Sequence, residues 1–348
     1  MEMIRQLQIN NYKSINQLSL SCSRINVLIG DPNVGKSNIL EALDLTYLSS
    51  FFNSNEKVQK AGFSPVDVKE YFRVRKASDL FHLGDVSKPI SIIHPGFSYD
   101  VSLKYNNKND KNIFEWIKSD GQITSFNNDF EPVEATQYYG SPVKPYRYKE
   151  NNEFHDIGNY INILMPPFGN NLIEVIKHNP EFRNFIGDLI KDLGFELNID
   201  TSSEEILFQL RLGKGLVYTV RYEAMADTLK RIIFYVAAIR YNNASIVTLE
   251  EPEVHSFPKF ISFLADEIIK AEGRQFFLAT HSPYLLNTLI ENTPSDQLSI
   301  FLCGYDKNKF ETTVKKLSEE ELSELLNFGV DIFFNINRYL DDRVKYNS

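Results

Sequence analysis

The residues with the most evident chemistry form one unbroken run, Gly30-Asp31-Pro32-Asn33-Val34-Gly35-Lys36-Ser37, which fits the spacing G-x-x-x-x-G-K-[ST]. Its glycines let the backbone curl until successive N–H groups point at phosphate oxygens. Lys36 then supplies a point charge to the β- and γ-phosphates of a nucleotide such as ATP, and Ser37 offers a hydroxyl to Mg²⁺. The run also has the flanks this chemistry needs. An apolar segment over 25–29 leads in, and Ile39, Leu40, Leu43 and Tyr47 at helical spacing lead out. The start of that helix adds the positive end of its dipole.

Two further groups sit at the ends of apolar segments. Ile246-Val247-Thr248-Leu249 runs into Glu250-Glu251-Pro252-Glu253. Cleavage of a phosphoanhydride needs one acid that holds Mg²⁺ through water and another that orients or deprotonates the attacking water. We assign Glu250 to the metal and Glu251 to the water; without the loop, the pair would read as solvated acids closing a strand. Thr280-His281-Ser282-Pro283 closes the next segment. Ser282 and Pro283 form an ordinary helix-capping pair, which leaves His281 to be explained. An imidazole one strand over from Glu251 can hydrogen-bond the γ-phosphate or the attacking water. His82, His94, His155 and His178 are scattered without metal-ligand spacing and read as structural or surface residues.

These groups need elements that bring strand ends together. Strands are expected around Ile4, Leu7 and Ile9, over 18–22 and over 25–29, followed by a helix over 37–48. The middle is heterogeneous. Alternation at 90–93, 99–103 and 146–148 reads as antiparallel strands, 172–177 and 181–193 as helices, and 195–199, 206–212 and 216–222 as three strands. Gly213-Lys214-Gly215 turns between the last two. From 226 the pattern is regular: helices over 226–241, 258–271 and 283–291 alternate with strands over 245–249, 275–280 and 298–303. Such alternation implies a parallel sheet covered by helices, with ligands beyond the carboxyl ends of its strands, where all three groups fall. In the tail, Ile332, Phe333, Ile336, Tyr339, Leu340 and Val344 fall largely on one helical face, suited to packing on the protein's own body or to docking a partner.

Composition narrows the class. With 348 residues, 43% hydrophobic and 24% charged, the chain buries a sizeable core as one large domain or two smaller ones. No secretory pattern is visible in the first ten residues, and no apolar run spans a bilayer. Two cysteines, Cys22 and Cys303, read as buried residues in a reducing interior, so a cytoplasmic protein is expected. The net charge of −9 speaks against a nonspecific nucleic-acid coat. A basic run over 57–76, with Lys57, Lys60, Lys69, Arg73, Arg75 and Lys76, reads as a solvated helix face.

Taken together the motifs resemble the ABC-type ATPase heads of the RecF, SMC and OLD group. The similarity is carried by Ile9-Asn10-Asn11-Tyr12-Lys13-Ser14-Ile15, by Gly35-Lys36-Ser37-Asn38-Ile39-Leu40-Glu41-Ala42-Leu43, by Glu250–Glu253 and by Ala279-Thr280-His281-Ser282-Pro283. It implies an α/β P-loop fold: a mixed, largely parallel sheet with helices on both faces, an antiparallel β subdomain and an inserted α+β lobe. It places the nucleotide machinery in 1–48 and 222–303, the lobe at roughly 51–221 and a helical segment at 317–348, all within one head over 1–348. It implies ATP and Mg²⁺ as ligands, Asn38 and Lys13 near the nucleotide, His281 as a switch histidine, and Val254-His255-Ser256-Phe257 facing the partner of an ATP-sandwiched homodimer. Such heads usually carry a Ser-x-Gly signature before the acidic strand. Here the stretch is Met225-Ala226-Asp227-Thr228-Leu229, so Asp227 and Thr228 stand where the signature would meet phosphate, or simply cap their helix. The family's glutamine has weak candidates in Gln122 and Gln137.

The expected function is therefore an ATP-hydrolysing dimeric switch. Stand-alone heads of this kind resemble components of bacterial anti-phage systems, in which a separate effector protein acts. The alternatives are a RecF-like DNA-repair ATPase that binds nucleic acid and a nucleotide-binding scaffold with little turnover. A hexameric motor is disfavoured, because it places its acidic strand far nearer the loop than the 214 positions between Lys36 and Glu250.

Overall fold

The computed structural model describes residues 3–52, 65–97, 99–108, 111–133, 141–150, 154, 162–203, 205–328 and 332–340. Of the residues singled out above, Lys57, Lys60, Gln137, His155 and Val344 lie outside them. The chain forms two compact units, one of Met1–Pro145, Ala244–Glu251 and Glu272–Ser348, the other of Tyr146–Asn243 and Pro252–Ala271.

In the first unit, β1 (Gln6–Tyr12) and β2 (Ile15–Ser21) form a hairpin. They continue through β4 (Ile90–Ile93), β5 (Val101–Lys108), β6 (Lys111–Lys118) and β7 (Ile123–Asn127) as an antiparallel sheet of order β2-β1-β4-β5-β6-β7. Its inner face is aromatic, with Phe126 stacked between Phe52, at a ring distance of 4.9 Å, and Phe130, at 5.5 Å. The second sheet has the order β15-β14-β3-β13-β12-β8. It contains β3 (Ile25–Gly30), β8 (Val143–Tyr146), β12 (Ile246–Glu250), β13 (Gln275–Ala279), β14 (Leu298–Asp306) and β15 (Glu311–Lys316). Strands β14, β3, β13 and β12 are parallel, and β15 returns antiparallel to β14. All six residues of β3 are buried, as a strand covered on both faces requires.

Helix α1 (Lys36–Asp44) touches β1 of one sheet and β3, β12 and β13 of the other. Its buried Asp44 is held from both sides, by the Thr248 hydroxyl at 2.7 Å and the Tyr71 hydroxyl at 2.6 Å. The helix expected over 37–48 stops at Asp44, and a 3-10 helix, Leu45–Phe52, continues it. The Trp116 indole donates to the Leu45 carbonyl at 2.9 Å and ties β6 to that turn. Helices α2 (Pro65–Tyr71), α7 (Pro283–Asn292), α8 (Glu319–Phe328) and α9 (Ile336–Leu340) complete the unit.

The second unit holds α3 (Leu172–His178), α4 (Pro180–Lys191), a three-stranded antiparallel sheet, α5 (Asp227–Arg240) and α6 (Pro258–Lys270). The sheet is formed by β9 (Glu196–Asp200), β10 (Glu205–Gly213) and β11 (Leu216–Arg221), with the expected turn at Lys214-Gly215. Arg240 of α5 grips Glu267 of α6 through two bonds of 2.6 and 2.8 Å. The architecture is the mixed α/β fold expected from the alternation of elements. Both cysteines are buried and unbridged. No helix among the described residues is long and apolar enough to cross a membrane.

Candidate functional site

Strand β3 delivers Gly30 to the edge of the sheet opposite Cys303 of β14. A Cβ at Gly30 would overlap the Cys303 carbonyl, so the close approach of β3 and β14 demands glycine here. The chain then rises through the exposed residues Asp31, Pro32 and Asn33 and the half-buried Val34. Gly35 enters α1 in a left-handed conformation, φ 100°, as the cap residue. Asn33 is also left-handed, φ 63°, a conformation asparagine tolerates better than most residues. Lys36 opens the helix and is only 5% exposed. Its ammonium folds back onto its own loop and donates to the carbonyls of Gly30 and Asp31, each at 2.8 Å. Burial pushes the Lys36 pKa down, against the raising pull of neighbouring acidic groups that include Glu251, Asp31 and Glu250. Ser37 is half-buried, and Asn38 donates to the Ser14 hydroxyl at 2.7 Å.

The acids leave the sheet next to the loop. Glu250 is the last residue of β12, and Ala279 of β13 is its partner in the parallel ladder. The Glu251 amide extends that ladder by one bond, to the Ala279 carbonyl at 2.9 Å, while its backbone turns left-handed with φ 42°. That conformation costs a non-glycine residue about 1 kcal/mol or more, and here it turns the Glu251 side chain toward the end of β13. Two residues beyond β13, His281 puts Nε2 3.4 Å from Glu251 Oε1. Both side chains are partly exposed, 38% for His281 and 41% for Glu251. Burial and the Lys36 charge lower the His281 pKa below the ordinary imidazole range, opposed by Glu251 and Asp31, which favours a neutral ring near pH 7. The segments around 30–37, 250–251 and 281 thus converge within one unit.

A second cation joins them that sequence reading missed. Arg73 lies past the end of α2 with φ 49°, and its guanidinium donates directly to Glu250 Oε1. Its Nε lies 3.7 Å from Glu41 Oε1. The basic run was expected as a solvated face. Arg73 departs from that because it has left the helix, and only the folding of a distant loop could bring it to a carboxylate 177 positions away. Glu41, fully buried on α1, also takes Lys13 at 2.5 Å and the Tyr12 hydroxyl at 3.3 Å. The Lys13 ammonium, expected near the nucleotide, is thereby directed to Glu41 and to the Phe72 carbonyl.

Asp227 and Thr228 belong to the second unit. Neither caps α5 through its side chain; the cap position is Ala226, and Asp227 is the first helical residue. The Asp227 carboxylate binds Arg231 at 2.7 Å and His255 Nδ1 at 2.9 Å, and the Thr228 hydroxyl donates to the His255 carbonyl. Burial raises the Asp227 pKa, but hydrogen bonds from Arg231 and His255 outweigh it and hold the carboxyl at about 2. In the segment after Glu253, Phe257 is 67% exposed. Gln122 lies at the turn between β6 and β7.

The family described as AAA ATPase domain matches residues 3–208, which include the loop at 30–37 and stop short of Glu250. No curated protein matches the chain. Among solved structures, an SMC head bound to the C-winged helix domain of ScpA superposes with a TM-score of 0.49 at 16% identity, covering 92% of this chain and 99% of that one. An SMC head domain from Thermotoga maritima gives 0.42 at 12%, covering 90% and 98%. An SMC head with an extended coiled coil from Pyrococcus furiosus, bound to the C-terminal domain of ScpA, gives 0.49 at 14%, covering 93% and 98%.

Proposed function

Because the chain belongs to the AAA ATPase domain family, we propose that it works as an ATP-hydrolysing switch whose nucleotide site is built from residues 30–38, Glu250, Glu251 and His281. The residues present fit ATP and Mg²⁺. The backbone at Gly35 has no room for a Cβ, and the buried Lys36 ammonium rests on two carbonyls of its own loop, close to where phosphates bind such loops. Ser37 and Glu250 supply a hydroxyl and a carboxylate. Among the described residues no cluster of three or more His, Cys, Asp or Glu side chains could hold a metal ion. A cation that arrives with its nucleotide needs no such cage, since Mg²⁺ takes one or two protein ligands with phosphate oxygens and water. When bound, Mg²⁺ neutralises charge on the β- and γ-oxygens.

The chain's own residues do the rest. Lys36 exchanges its two loop carbonyls for phosphate oxygens. Arg73 keeps Glu250 charge-compensated until the acid is needed. Glu251 accepts a proton from the attacking water, and the neutral His281 beside it orients that water or the γ-phosphate. The observation that carries this reading is the 3.4 Å approach of His281 to Glu251 at the ends of adjacent parallel strands.

The reading extends to a homodimer closed over ATP, with the segment of Val254-His255-Ser256-Phe257 facing the partner copy, and to a separate effector protein gated by it in anti-phage defence. The chemistry suits the cytoplasm, which supplies ATP and Mg²⁺ and keeps thiols reduced. One observation favours a second reading, a nucleotide-binding scaffold with little turnover: Asp227 is an acid already engaged by Arg231 and His255, a poor donor for a second subunit's phosphate. Calorimetry with Mg-ATP, together with phosphate release, separates the two. Lys36→Ala is expected to abolish binding, and undiminished affinity would remove the loop from the site. Tight binding by the wild type without phosphate release would leave the scaffold.

A further inference from the structure

Behind the phosphate-binding loop lies a chain of three polar side chains from three distant parts of the sequence. Thr312, the second residue of β15 and 4% exposed, donates its hydroxyl to the Val34 carbonyl at 2.9 Å. Its oxygen lies 2.6 Å from the Ser14 hydroxyl in the β1–β2 turn, and Asn38 of α1 donates to Ser14 at 2.7 Å. Each hydroxyl has one proton, so the direction of the chain is determined. Thr312 gives its proton to Val34, Ser14 must therefore give its own to Thr312, and Ser14 in turn accepts from Asn38. The Thr312 amide also donates to the Ser14 carbonyl at 2.7 Å, which locks the start of β15 against the turn.

We propose that Thr312 is a positioning residue for nucleotide binding, acting by fixing the plane of the Val34–Gly35 peptide. The inference rests on the loop's reading as an ATP site. In a planar trans peptide the C=O and N–H point in opposite directions. Drawing the Val34 carbonyl toward Thr312 therefore aims the Gly35 N–H away from it, into the loop, where amides of this motif meet phosphate. The packing is close enough to exclude a side chain at position 35: a Cβ there would overlap the Thr312 hydroxyl and stand 2.8 Å from the Ser14 oxygen. The clamp thus orders a backbone donor before the nucleotide arrives, so that binding does not have to supply the ordering.

The test is the affinity for Mg-ATP and Mg-ADP of the full chain, by calorimetry, for Thr312→Val, Thr312→Ser and Ser14→Ala. Thr312→Val keeps the shape and loses the donor. It is expected to weaken both nucleotides about three- to tenfold, the net worth of one hydrogen bond, with the loss of hydrolysis falling on KM more than on kcat. Thr312→Ser is expected to restore affinity to within about twofold, since it keeps the hydroxyl. Ser14→Ala frees the Thr312 hydroxyl from its donor and is expected to weaken binding in the same direction. A folded Thr312→Val protein with wild-type affinity would overturn the proposal, as would a Thr312→Ser protein as weak as the valine variant. If Thr312→Val does not fold, Ser14→Ala decides, and unchanged affinity there overturns the clamp. Failure of the wild type to bind ATP would instead overturn the site's reading as a whole.

Discussion

Glu250 and Glu251 are neighbours in sequence and differ in almost everything else. Glu250 stays in the ladder, mostly buried, with Arg73 on its carboxylate. Glu251 has turned left-handed, toward His281 and solvent. An acid already facing a guanidinium stands where a cation is held, whereas a partly exposed acid next to an imidazole is placed to take a proton from water. Glu251→Gln is therefore expected to bind Mg-ATP as the wild type does and to lose about 10²–10⁴ in turnover, read by phosphate release at saturating nucleotide. An active Glu251→Gln protein beside an inactive Glu250→Gln protein would reverse the two roles. His281→Ala should likewise bind ATP with slowed turnover, checked by the same pair of assays.

At the scale of elements, the antiparallel sheet of the first unit carries its own titration. His94 follows β4, is 1% exposed, and has its ring 5.9 Å from Phe97 and its Nδ1 3.6 Å from Asp100. Burial lowers its pKa to about 4, despite Asp100. An unfolded histidine titrates near 6.5, so the folded value is depressed and the neutral form is favoured by folding. That contribution is fully present above about pH 6.5 and is lost as pH falls through the folded value near 4, to a total of about 3 kcal/mol. His94→Phe is expected to flatten this part of the acid loss, seen as a smaller drop in urea midpoint between pH 7 and pH 4.5. An equal drop in both proteins would assign the acid sensitivity elsewhere. Also at this scale, Gly35→Ala should abolish nucleotide binding, because the side chain has neither space nor a compatible φ; calorimetry with Mg-ATP would show retained affinity if the loop could yield.

At the scale of the molecule, each unit is assembled from separated pieces of chain, three for the first and two for the second. The proposed dimer draws on residues of both units: the loop, Glu251 and His281 in one, Asp227, Thr228 and the segment around His255 in the other. The Glu251→Gln protein, which retains ATP, is expected to double its mass from 40.2 kDa on addition of Mg-ATP, measured by light scattering on the eluting protein. A species that stays at the monomer mass at saturating nucleotide and tens of micromolar protein would rule the sandwich out.

The sequence by itself determined the loop, the acidic pair, His281 and the alternation that makes the parallel sheet. Each is written locally: a spacing that suits a phosphate cradle, apolar runs ending in ionisable residues, and helical and strand periods that report burial. Strands such as 90–93 and helices such as 181–193 were legible for the same reason. Strand β15 was not, because the charged and polar residues of Glu311–Lys316 leave little period to read. The left-handed turn at Glu251, the pairing of Arg73 with Glu250, the turn of Lys13 toward Glu41 and the placing of Thr312 behind Gly35 were decided only by the tertiary structure. A periodic pattern says which face of an element is buried. It does not say which residue of a remote strand will lie opposite, and Ser14 meets Thr312 across 298 positions of chain through the packing of two sheets around one helix.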